Sequence, residues 1–69
     1  MTKRSPIRYI VHNPFEEIPA SYAVAFWGDL TAERFARTNA RPRGGKVEVE
    51  YSDDKFMTLE DYSSKEWAK

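Results

Sequence analysis

From Ile7 to His12 the chain alternates, with Ile7, Tyr9 and Val11 on one side and Arg8, Ile10 and His12 on the other. That period of two predicts a strand, bracketed by Pro6 and Pro14, neither of which continues a sheet interior. His12 to Pro19 reads as a loop held between two prolines, with Phe15 and Ile18 expected to pin it to the core.

Ser21 to Trp27 fits two templates. As a strand it sets Tyr22, Val24 and Phe26 against Ala23, Ala25 and Trp27; as a helix it aligns Tyr22, Phe26 and Leu30. Val and the aromatics favour the strand, the alanines favour the helix, and the balance falls to the strand, closed by Gly28. Thr31 then has the makings of a helix cap, with Glu33 in the first turn and Leu30 and Phe35 as a hydrophobic staple. Pro42 excludes the helical conformation at Arg41, so this helix is expected to end at about Ala40. A turn follows at Arg41-Pro42-Arg43-Gly44-Gly45.

Lys46 to Ser52 alternates most cleanly of all, with Val47, Val49 and Tyr51 inward and Glu48 and Glu50 outward. Asp53-Asp54 marks a turn, and Lys55 to Met57 suits a short return strand. Thr58 repeats the capping logic with Asp61, and Met57 and Tyr62 supply a second staple. On that pattern a last helix runs from Leu59 to about Ala68 and lays Leu59, Tyr62, Ser63 and Trp67 on the core. The layout is β-β-α-β-(β)-α. It predicts an α+β fold, a small antiparallel or mixed sheet of three to four strands with two short helices packed on it.

Length adds a constraint. Sixty-nine residues make a single domain, residues 1–69, in which residues 1–5 read as a flexible N-terminal arm. A chain this short buries only about 60% of its unfolded surface. It has no cysteine, so disulfides, thiol catalysis and Cys-based zinc sites are excluded. Four Phe, four Tyr and two Trp are the material for a core instead, Trp27 and Trp67 included, and they argue against a disordered chain. No apolar run reaches the ~20 residues of a membrane span. The basic start Met1-Thr2-Lys3-Arg4 lacks the apolar segment of a secretory signal. With no anchor motif at the end, the chain reads as a complete, cytoplasmic product.

The formal net charge of zero conceals a split. Residues 1–46 carry eight Lys/Arg against four Asp/Glu, and residues 47–69 carry three against seven. Arg34, Arg37 and Arg41 fall at i, i+3 and i+7, one side of the first helix, and Arg43 and Lys46 extend that charge into the following loop. Such a ridge suits phosphates or carboxylates. It is also how a surface helix stays wet, the more so if Glu48 and Glu50 lie alongside. An overall pI of about 6.6 argues against a nucleic-acid footprint, for which a value above about 9 is usual. Glu48, Glu50, Asp53 and Asp54 form an acidic counterpart, suited to a basic groove on a larger protein or to guarding a sheet edge.

Chemistry is harder to find. His12 stands alone, Glu16 and Glu17 are loop neighbours that diverge, and Asp53-Asp54 with Glu60-Asp61 lacks the alternation and central Gly of a calcium loop. Arg43-Gly44-Gly45-Lys46 is too short for a phosphate loop. No catalytic, cofactor or metal site is expected. The reading that follows is a non-enzymatic protein-binding module, an inhibitor or adaptor acting on a larger partner. Its size class also fits a phage or mobile-element product. The competing reading is a small nucleic-acid-binding protein using Arg34, Arg37, Arg41, Arg43 and Lys46. If Ser21–Trp27 carries two apolar faces, a homodimer is a third arrangement that covers one of them.

Overall fold

The computed structural model describes residues 5–63. Strands β1 (Pro6–His12), β2 (Ala20–Ala23), β3 (Lys46–Tyr51) and β4 (Phe56–Asp61) form one antiparallel sheet in the order β2-β1-β3-β4. Helices α1 (Val24–Trp27) and α2 (Asp29–Ala40) pack on one face, and a 3-10 turn at Arg41–Arg43 leads into β3. The fold is α+β, as the alternating patterns imply.

Register decides the faces. Tyr9 stands between Tyr22 and Val49, and Val11 between Ala20 and Val47, all toward the helices. Arg8 stands between Ala23 and Glu50, and Ile10 between Ser21 and Glu48, on the opposite face, which no described element covers. An antiparallel sheet tolerates one solvated face. Here its middle is filled by polar side-chain pairs, an ion pair from Arg8 Nε to Glu50 Oε1 at 3.2 Å and a hydrogen bond between His12 Nε2 and Glu48 Oε1 at 2.9 Å. Ile7 drops out of the inward row because the register slips between Pro6 and Arg8.

The core is small and made of small residues. Val11, Val47 and Val49 meet Ala32, Ala36 and Ala40, with Tyr9 and Tyr62 closing its sides. The alanines recur every four residues along α2, so its inner stripe carries no bulk and the helix backbone approaches the sheet closely. Of the described large aromatics only tyrosines reach this core. All four phenylalanines stand at the surface, Phe15 at 95% exposure and Phe26 at 77%.

Several local expectations yield to tertiary context. The segment Ser21–Trp27 is neither one strand nor one helix: β2 ends at Ala23, where its pairing with Arg8 of β1 ends, and α1 begins at Val24. Thr31 is not the cap of α2, which starts two residues earlier at Asp29. Its N-cap is Gly28, whose φ of 88° and ψ of 157° suit a glycine alone. Leu30 is therefore already helical and 82% exposed. Thr58 does not open a helix either, because residues 56–61 pair with β3 and extend the expected three-residue return strand to six. Beyond Ser63 the expected last helix and Trp67 lie outside the described residues, as do residues 1–4 of the expected arm. Phe15 and Ile18 do not pin the β1–β2 loop; Asn13 does, buried and donating to Glu16 and Asn39. Trp27 is not in the core, being 43% exposed against Phe26 and Phe35.

Candidate protein-docking surface

α2 brings its chemistry to the surface by helical spacing. With the alanine stripe turned inward, Leu30, Arg34, Arg37, Thr38 and Arg41 face outward. A shallow cleft of about 570 Å³ follows this side, lined among the described residues by Leu30, Glu33, Arg34 and Arg37 and flanked by Phe35 and Thr38.

The arginines of the stripe do not act as a unit. Arg37 is held by Glu33 at 2.9 Å and Glu60 at 3.7 Å, and it donates to the Tyr62 hydroxyl. That hydroxyl, followed by Glu33, raises its already high pKa, while partial burial opposes the shift. Arg43 folds back onto the backbone and side-chain oxygens of Asn39. Lys46 belongs to the other face of the sheet, 3.7 Å from Glu48. Among the described residues only Arg34 and Arg41 of the five make no ion pair or side-chain hydrogen bond.

The acidic residues disperse likewise. Glu48 and Glu50 sit on β3, an interior strand, so they guard no edge and lie away from the arginine stripe; the carboxylates that meet the stripe are Glu33 and Glu60. Asp53 and Asp54 shape the β3–β4 turn. Asp53 accepts from the Lys55 amide, and Asp54 adopts a φ of 66°. Among the described residues no group of three or more His, Asp or Glu side chains is arranged to hold a metal ion.

At the other end of the sheet a hollow of about 310 Å³ gathers His12, Gly45, Lys46, Asp61 and Ser63. The Ser63 hydroxyl donates to Asp61, which lowers that carboxyl's pKa, while His12 is turned to Glu48. Ser63 is thus engaged by a carboxylate, and the imidazole is bonded elsewhere.

What sequence reasoning missed is the apolar corner where α1 meets α2. Ring contacts run from Tyr22 to Phe35 (5.9 Å), from Phe35 to Trp27 (4.8 Å) and from Trp27 to Phe26 (4.9 Å), a row that starts at the sheet and ends in solvent. Leu30 projects beside it, one helical turn before Arg34. One signal was available: Leu30 lies on the arginine side of α2, at i−4 from Arg34, and on the side opposite the alanine stripe.

No protein-family model, no curated protein and no solved structure matches this chain. Among the described residues no helix is long and apolar enough to cross a membrane.

Proposed function

We propose that this chain is a non-enzymatic binding module that docks on a larger protein through the α1–α2 corner, as an inhibitor or adaptor does. One observation carries the reading: Leu30, 82% exposed, shares its cleft with Phe35 and with Arg34, which has no ion-pair partner among the described residues, and Phe26, 77% exposed, ends the row of rings that leads from Phe35 through Trp27. Aromatic and arginine side chains dominate the energetics of protein interfaces. A domain with so small a core gains nothing from leaving them in water, and contiguous exposed apolar surface marks interaction sites. The partner that fits offers an apolar groove with an acidic rim, in which Arg34 and Arg41 meet carboxylates by bidentate contacts.

The nucleic-acid reading has less support. Arg37 and Arg43 are already engaged, and Lys46 lies across the sheet, which leaves two cations of the five unpaired among the described residues.

The test is affinity capture with the full chain, followed by titration of the recovered protein with purified wild type and with Leu30→Glu/Arg34→Glu. Saturable binding by the wild type and a loss of tenfold or more in the variant supports the reading. Equal affinity for both proteins overturns it.

A further inference from the structure

The two edges of the sheet are unlike. β4 carries Glu60 and Asp61, follows Lys55, and has an irregular register where Val47 and Glu48 meet it. Charges and bulges of that kind are how proteins keep edge strands from pairing with other chains. β2, the opposite edge, is Ala20-Ser21-Tyr22-Ala23: it has no charge, no proline and no register irregularity. Among the described residues only β1 pairs with it. On its helix side Phe35 and Trp27, 36% and 43% exposed, extend the row of rings that begins at Tyr22.

We propose that the outer edge of β2 is a self-association site at which a second copy of this chain adds its own β2, antiparallel, to make one eight-stranded sheet. This goes beyond the docking surface above and does not depend on it. The second copy is the occupant because of the strand's composition. A two-fold axis lays the strand against its own reverse, so a like-charged edge repels itself and a neutral edge of small residues does not. Strand addition of this type draws its affinity from main-chain hydrogen bonds. The same axis brings the two Tyr22–Phe35–Trp27 clusters together on one side of the joined sheet and leaves the Leu30–Arg34 ridge of each copy outward. Four strand residues with three partly exposed rings contribute roughly 300 Å² per copy. That is below the ~800 Å² per partner of a standard interface, so the dimer is reversible and concentration-dependent.

Sedimentation velocity of the full chain between about 1 µM and 1 mM tests this. The mass is expected to rise from 8.1 kDa toward twice that value. Ser21→Lys/Ala23→Lys places charges on two exposed positions of the edge and is expected to shift the monomer–dimer midpoint at least tenfold upward. Phe56→Lys on β4 and Leu30→Glu/Arg34→Glu on α2 leave it in place. Hydrogen exchange on the wild type needs no variant to fold: amides of residues 20–23 exchange more slowly at high than at low concentration. A monomer at 1 mM, a dimer indifferent to the paired lysines, or one dissolved by Phe56→Lys overturns the proposal. Loss of partner binding in Leu30→Glu/Arg34→Glu with the dimer intact separates the two surfaces.

Discussion

The side-chain oxygen of Asn13 fills the place where any residue but glycine at position 45 would put its Cβ. A Cβ built on Gly45 falls 2.0 Å from Asn13 Oδ1 and 2.9 Å from the His12 carbonyl oxygen. The first contact involves a side chain whose amide nitrogen is tied to Glu16 and Asn39, and the second is backbone, so neither yields freely. Gly45→Ala is therefore expected to destabilise the fold by about 1–3 kcal/mol, the usual cost of overpacking. Urea unfolding should show a lower midpoint at unchanged slope. Adding Asn13→Ala relieves the closer contact only, so the double variant should depart from additivity.

Tyr9 predicts an alkaline sensitivity. Burial raises its pKa first, and its hydrogen bond to Asp29 raises it further. The unfolded phenol ionises near 10.0 while the folded one stays protonated. This contribution is whole below the unfolded value and is lost as pH rises from there toward the folded one. Across that window wild-type stability should fall more steeply than that of Tyr9→Phe, by up to about 1.4 kcal/mol per pH unit. Paired urea titrations from pH 9 to 11 read the difference, since the other tyrosines and the lysines are common to both proteins.

The apolar corner should be nearly neutral for stability. Phe26→Ala and Leu30→Ala remove side chains that are 77% and 82% exposed, so each is expected within about 0.5 kcal/mol of wild type. Val47→Ala empties a fully buried position beneath α2 and should cost about 2–3 kcal/mol. Thermal or urea melts of the three variants check the contrast. A large loss from Phe26→Ala would make the corner part of the core rather than a docking surface.

For short labelled DNA or RNA, fluorescence anisotropy should show at most weak binding with a shallow salt dependence. The two arginines left without a partner among the described residues give a log–log slope no steeper than about −2, against about −4.5 if all five cations neutralised phosphates. A slope near the steeper value that vanishes in Arg34→Glu/Arg41→Glu would restore the nucleic-acid reading.

Much of the site's raw material was legible in the sequence, and its grouping was not. Helical spacing places Arg34, Arg37 and Arg41 on one side of α2. It does not say that β4 brings Glu60 to Arg37, because that carboxylate lies twenty-three residues downstream, nor that Arg34 has no partner among the described residues. The reading of Thr58 as a cap fails for a related reason. Capping is a local signal worth about 1 kcal/mol, and five of residues 56–61, all but Leu59, pair with β3 as the alternative.

The sequence by itself determined β1, β3 and the α+β class, because alternation and helical spacing act within a few residues. Helix α2 does stop at Ala40, but not for the expected reason, since Arg41 before Pro42 keeps a helical conformation (φ −58°, ψ −53°) and the chain runs on as a 3-10 turn. Only the tertiary structure decided which apolar residues are buried. An inner stripe of alanines brings α2 down onto three valines and leaves little room for large rings. Tyr9 and Tyr62 close that small core, while Phe26, Trp27 and Leu30 remain outside it, since burial depends on what packs opposite a residue and not on its own hydrophobicity.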